Sequence, residues 1–451
     1  MNNKLKYLAV QVAVPFFLVA CDANVEHAVH AVEVPVPVYT FPGAGAVKVK
    51  TGELTIRIAY DKPVFFATGD LDKITLAGGE IIGAEVYGAS DTLTVKANCP
   101  ERNKTYTLTV PEGVVTGPNG MPAPEVSFDF TTISLDRRPV NASVTVEAGN
   151  LYDYLLENYG KKTLSASMAR VNWNTDEAEY VYRWTGKYPA VNCFDYIHLY
   201  DSGSWIDYTD ITPVKNWWDA GGLVAAMWHW NVPVKEGSDE YAFYKENTTF
   251  DADKVLTEGT WENQVFKKDL AKVADCLKLL RDAGIPVIWR PLHEASGGWF
   301  WWGKNASGFK NMWIYMFDYL KEQGVNNLLW VWTAGSDDAD WYPGDAYVDI
   351  VGCDIYKKNA AACASQYATV SARYGNKIVA LSECGYAEEE TATDILAEMP
   401  AQWRAGARWM WFMPWYNAEL GVNNELGKKW WKEAMSQDFV ITRDVLPTMK
   451  R

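Results

Sequence analysis

Two glutamates stand at the ends of apolar runs. Glu294 closes "VIWRPLHE" (287–294), and Glu383 is the last charged residue of "KIVALSECG" (377–385). A carboxylate there costs free energy unless it is paired or put to use. One such residue is readily an ordinary ion-paired or rim group; two on separate runs point to chemistry. Two carboxyls flanking a glycosidic bond can hydrolyse it. One protonates the leaving oxygen, and the other attacks the anomeric carbon or activates water. A gap of roughly 5–5.5 Å between them would select the retaining route through a covalent intermediate.

The residues around these acids suit a sugar. Glu294 is followed by "GGWFWWG" (297–303). Indoles stack on the apolar faces of a sugar ring while polar side chains bond its edges. Trp299 follows two glycines, which marks a loop, so it and Trp302 are expected beside the departing sugar. Trp415, at the end of "ARWMWFMPW" (407–415), is expected under the attacked ring. Most of the other tryptophans read as core. Apart from His27 and His30, every histidine (His198, His229, His293) falls late in an apolar run, consistent with one polar cleft. "HEASG" lacks the second histidine of H-E-x-x-H, so neither a metal nor a cofactor is expected.

Eight short apolar runs must position these groups: "TLSASMARV", "FDYIHLY", "LVAAMWHW", "PVIWRPLHE", "NLLWVWTAG", "VDIVGCDIY", "KIVALSECG" and "ARWMWFMPW". Between many of them lie segments of helical periodicity, such as "FKKDLAKVADCLKLLRDAG" with its stop at Gly284. Eight strands with intervening helices predict an α/β (β/α)8 barrel over residues 134–451, with Glu294 and Glu383 at the ends of strands four and seven. A doubly wound open sheet is the alternative, but no G-x-G-x-x-G follows the first run.

The first 133 residues differ. Positions 1–21 carry Lys4 and Lys6, an apolar run and the close "LVAC", similar to a bacterial lipobox; this predicts a removed signal and a lipidated Cys21. Prolines and small residues predict a tether over 22–46. From 47 to 133, short alternating segments such as "LTIRIAY" and "TLTVKAN" predict an all-β sandwich. "TYTLTVPEGVVTGPNGMPAPEVSFDFTT" (105–132) resembles bacterial immunoglobulin-like modules. All 22 tryptophans lie between Trp173 and Trp431, so the sandwich offers no indole platform and reads as a spacer. The other six cysteines form no C-x-x-C pair and read as buried thiols. A net charge of −15 with no long Lys/Arg run excludes nucleic acid and a basic membrane patch. Membrane attachment through the lipid anchor alone, at a bacterial outer membrane, and a monomer are the expectations.

"WRPLHE" followed by "GGWFWWG", with "SECG" downstream, resembles glycoside hydrolase family 26 over roughly residues 150–435. The resemblance implies a retaining endo-β-1,4-mannanase acting on mannan, galactomannan or manno-oligosaccharides. Within it, Glu294 corresponds to the acid/base and Glu383 to the nucleophile. His293 stands where the family has histidine before the acid. "CDIY" implies that Tyr356 hydrogen-bonds the nucleophile and that Asp354 helps shape the site. His229 in "MWHWN" corresponds to the histidine facing the sugar, Arg290 to the residue orienting the carboxyls, and Trp415 to the strand-eight tryptophan. Tyr416 follows it where some relatives carry arginine, which leaves the distal glycone subsites open. A β-1,3-xylanase, a mixed-linkage glucanase and a non-catalytic glycan-binding lipoprotein are the competing readings.

Overall fold

A computed structural model describes residues 33–170, 172–199, 206–335, 338–385, 397–416 and 425–449. Cys21 and the leader lie outside them. Two four-stranded sheets form the N-terminal sandwich. One runs, in spatial order, Pro37–Phe41, Gly52–Tyr60, Thr92–Cys99, Glu80–Val86; the other runs Ala46–Val49, Val126–Thr132, Thr105–Val110, Thr75–Ala77. Alternation sends Ile56, Ile58, Val95, Leu108 and Phe130 into a shared core, all at 0% exposure. The expected tether is shorter than 22–46, because Pro37–Phe41 is a strand paired antiparallel with Gly52–Tyr60. Proline is accommodated there because it opens an edge strand, where a missing N–H breaks no ladder.

The second domain is a closed barrel of eight parallel strands: β1 (Thr163–Met168), β2 (Val191–Asp195), β3 (Leu223–Trp228), β4 (Val287–Pro291), β5 (Leu328–Ala334), β6 (Ile350–Ile355), β7 (Ile378–Cys384) and β8 (Trp411–Pro414). Each pairs with the next, and β8 closes on β1 through Leu164 opposite Trp411. β1 and β3 are buried along their whole length, because helices cover one face and barrel-filling side chains the other. That is why the runs read as continuous apolar stretches.

Helices α1 (Val146–Asn158), α2 (Asp176–Thr185), α3 (Thr212–Asp219), α4 (Trp261–Asp282), α5 (Ala306–Glu322), α6 (Ala360–Arg373), α7 (Met399–Arg404) and α8 (Glu425–Met435) fill the connections. Caps fix several starts. Thr260 accepts from Asn263 N at the head of α4, and Asn305 accepts from Gly308 N at the head of α5. α4 seals the barrel with Phe266, Leu270, Val273, Leu277 and Leu280, all fully buried and each contributing about 1.5–3 kcal/mol. Among the described residues no helix is long and apolar enough to cross a membrane. All six described cysteines are free and buried.

The sandwich meets the barrel just before β7, at the N-terminal end of the strands. Arg102 Nε donates to Gly375 O at 2.9 Å, and its guanidinium lies over the Tyr159 ring. The opposite, C-terminal face of the barrel is therefore turned away from this junction.

Candidate active site

The chain leaves β4 through strained backbone. Leu292 and Glu294 both adopt left-handed conformations, φ 50° and 51°, which disfavour residues bearing a Cβ. This turn aims the Glu294 carboxyl into the barrel mouth. Trp299 folds back over it, and its indole N–H donates to Glu294 Oε2 at 3.2 Å. Gly297 permits that return, since a Cβ there would sit 2.1 Å from the Trp299 ring. Trp299 keeps 43% of its surface exposed.

Glu383 faces Glu294 from the end of β7. Arg290, fixed by Thr333 Oγ1 at 3.1 Å from its Nε, donates through Nη1 to Glu383 Oε2 at 3.2 Å and through Nη2 to Asp354. The Tyr356 hydroxyl donates to Glu383 Oε1, and Ser382 Oγ donates to Asp354 Oδ1 at 2.8 Å. Gly385 lets Tyr356 lie against the chain leaving β7, for a Cβ there would fall 2.5 Å from its ring. Glu294, Asp354 and Glu383 each bring an oxygen within 4.8 Å of the others. Such a trio could hold a cation by number of ligands, but the Arg290 guanidinium already supplies positive charge to two of its members.

Three carboxyls around one guanidinium cannot all ionise cheaply. Burial, then the charge of Asp354, pushes Glu383 up to about 7, while Arg290, Tyr356 and His229 pull it down. Burial and Glu383 likewise hold Glu294 above the usual carboxylate range. Burial raises Asp354 well above it against the pull of Arg290. Glu294 and Asp354 lie close enough for each to perturb the other's ionisation, so the two titrate as a pair. Burial and the charge of Glu383 push the Tyr356 hydroxyl up, which keeps it a donor.

His229 and His293 sit side by side, ring centroids 4.3 Å apart and roughly perpendicular. Burial, then His229 and Arg290, pushes His293 well below the ordinary histidine range, so its ring is neutral. His229 is held by Asp195, at 0% exposure at the end of β2. Asp195 Oδ2 lies 2.5 Å from His229 Nδ1, and its Oδ1 accepts the His229 backbone N–H at 3.2 Å. Trp415 packs 5.8 Å from the His229 ring.

One expected contact is corrected. Trp302, predicted beside the departing sugar, is fully buried; its N–H donates to His293 O at 2.9 Å and its ring stacks on Phe300. The turn Trp301–Gly303 points both of its indoles inward, leaving Trp299 alone of the three at the surface. The remaining expected residues converge on the mouth. Asp195, Thr333 and Ser382 were missed. Asp195 carried a readable signal, an acid inside the apolar run "FDYIHLY"; the two hydroxyls carried none.

Two cavities meet at Glu294 and Trp299, which line both. One, of about 450 Å³, also includes Glu383, His229, His293 and Trp415 and runs toward the ends of β1 and β2. The other, of about 340 Å³, includes Ser296, Gly335, Asp354 and Gln366 and runs toward β5 and β6. Together they make a cleft across the mouth that extends to both sides of the carboxyls.

A family model described as glycosyl hydrolase family 26 matches residues 140–445, and one for a bacterial Ig-like domain matches residues 32–132. The chain is 35% identical over 337 residues to mannan endo-1,4-beta-mannosidase B of Piromyces sp, covering 72% of this chain and 56% of that protein. It spans about half the length of the curated relatives it matches first. Among solved structures, the family 26 domain of an endo-beta-mannanase/endo-beta-glucanase from Prevotella bryantii is 42% identical, with a TM-score of 0.64 over 69% of this chain and 99% of that one. A beta-mannanase from a symbiotic protist of the termite Reticulitermes speratus, solved with a gluco-manno-oligosaccharide, is 37% identical, with a TM-score of 0.60 over 70% and 99%.

Proposed function

The chain belongs to glycosyl hydrolase family 26, and from that footing we propose that it cleaves internal β-1,4-mannosidic bonds of mannan and galactomannan with retention of configuration. The observation that carries this reading is the pair Glu294 and Glu383, with oxygens within 4.8 Å of each other, at the junction of two cavities. That closeness supports direct attack by one carboxylate rather than attack by an interposed water. A cleft that extends to both sides of the carboxyls supports internal cleavage. The names of the relatives support mannan as the polymer.

Glu383, ionised and steadied by Arg290 and Tyr356, attacks the anomeric carbon of the sugar lying over Trp415. Glu294 gives its proton to the glycosidic oxygen, the C–O bond breaks, and the leaving chain departs past Trp299. The glycosyl–Glu383 ester has lost the charge that helped hold the Glu294 proton. Glu294 now takes a proton from water; the water oxygen attacks the anomeric carbon and releases Glu383.

The test is product analysis on linear mannan, galactomannan, β-1,3-xylan and barley glucan. Early mixed manno-oligosaccharides are expected. Mannobiose alone from the start would make the enzyme exo-acting, cleavage of only xylan or glucan would overturn the substrate, and binding without cleavage on all four would make the barrel non-catalytic. Glu383→Ala is expected to be inactive and to form an α-configured glycosyl azide from an activated β-mannoside when azide is supplied; absence of that product would remove Glu383 as nucleophile.

We also propose that Cys21 is lipidated and tethers the chain to a bacterial outer membrane. The sequence "LVAC" supports this, and the sandwich would then stand between the anchor and the barrel. Labelled palmitate is expected to enter the wild type and not Cys21→Ala; equal labelling would refute the anchor.

A further inference from the structure

Resting on that reading of the cleft, we propose that Arg170 determines specificity by gripping the sugar one place beyond the attacked ring, on the non-reducing side. The cleft has a direction. Glu383 lines only the larger cavity, so that cavity takes the glycone, and the smaller one, past Glu294, takes the leaving chain. From Glu383 and Trp415 the larger cavity continues to Arg170, Ile197, His198 and Tyr416. Arg170 follows β1 and Ile197 follows β2, across the mouth from the β5 and β6 loops that line the smaller cavity. A sugar bonded to the attacked ring, on the side away from the leaving chain, lies in this far part.

The side chain there is poised and unused. Arg170 is half-buried, and among the described residues its guanidinium has no hydrogen-bond, ion-pair or ring partner. Its backbone is left-handed, φ 54°, as at Leu292 and Glu294 on the opposite rim. A residue with a Cβ holds that conformation only where surrounding structure imposes it, and such strain gathers at ligand sites. A planar fork of N–H donors matches adjacent ring hydroxyls, which accept in pairs. A neutral sugar meets it without a counter-charge, so the grip is on hydroxyls.

The test compares kcat/KM on an aryl β-mannobioside, which fills both glycone positions, with kcat/KM on the matching aryl β-mannoside, which fills only the attacked one. Both are measured on one preparation, so any loss of folded enzyme cancels in the ratio. In Arg170→Ala the mannobioside-to-mannoside ratio is expected to fall about 10–100-fold, and in Arg170→Lys by less. An unchanged ratio, or an equal loss on both substrates, would overturn the assignment. If the wild type instead prefers the aryl cellobioside over the mannobioside, the mannan reading fails, and the cellobioside-to-glucoside ratio decides Arg170 in the same way.

Discussion

Asp195 offers the sharpest single-atom test of how the site is held. Both of its oxygens accept: Oδ2 from His229 Nδ1 at 2.5 Å, and Oδ1 from the His229 backbone N–H at 3.2 Å. Asp195 is at 0% exposure, out of reach of bulk solvent. Asparagine has the same shape but one acceptor and one donor. In Asp195→Asn, therefore, either the backbone N–H faces an NH2 group, or Nδ1 must give up its proton and the ring changes tautomer. The second outcome reverses what Nε2 presents to the sugar. The loss is one hydrogen bond to a charged acceptor, about 1.5–3 kcal/mol. Expressed in the transition state, this lowers kcat/KM by about 10–150-fold. The assay is initial-rate hydrolysis of a manno-oligosaccharide, with thermal melts to confirm folding. A value within about threefold of wild type, with the fold intact, would refute the claim that Asp195 sets the orientation of His229.

Tyr356→Phe and Asp354→Asn should move the acid limb of the kcat/KM profile in opposite directions. The Tyr356 hydroxyl favours ionised Glu383, so its loss raises the Glu383 pKa and shifts the limb to higher pH. Asp354 disfavours that ionisation, so Asp354→Asn lowers the pKa and shifts the limb to lower pH. Two shifts of the same sign would show that the limb does not report Glu383. Far from the mouth, Asp349, 1% exposed, accepts from Val140 N and Trp330 N, both at 2.7 Å. Asp349→Ala strands two amides and is expected to cost about 2–4 kcal/mol, read in denaturant melts at unchanged kcat per folded molecule; a loss under about 0.5 kcal/mol would show that the amides find other partners.

The barrel and its two glutamates were legible for one reason. Strands buried on both faces read as unbroken apolar runs, and a charge at the end of such a run is conspicuous. The fate of individual indoles was not legible in that way. Trp299, Trp301 and Trp302 occupy one short loop, and nothing in their composition separates them. Packing does: Trp301 donates to Trp230 O at 2.7 Å and Trp302 to His293 O at 2.9 Å, both inward, while Gly297 lets Trp299 turn out. Pro37–Phe41 was read as tether because its prolines and neighbouring small residues resist helix, an argument that leaves an edge strand open. Arg170 was invisible for a different reason. Its place in the cleft depends on a backbone angle and on neighbours from β2 and β8, distant in sequence.

The arrangement of three carboxyls about Arg290 has a consequence for both halves of the reaction. Before attack, Glu383 carries one negative charge, the Glu294–Asp354 pair shares one proton and carries another, and Arg290 offsets one of them. In the glycosyl intermediate Glu383 is an ester without charge, but the pair has given up its proton and carries two negatives. The buried cluster thus holds the same net charge on both sides of the first step. No net charge has to be created or removed in the buried cluster, and the fixed guanidinium does not have to move. With only Glu294 and Glu383, the proton would still pass between the same atoms, but Arg290 would lose the acceptor that Nη2 now holds. Asp354 matters on this argument without touching the reacting carbon: it accepts from Arg290 Nη2 and shares with Glu294 the proton that Glu294 must lend.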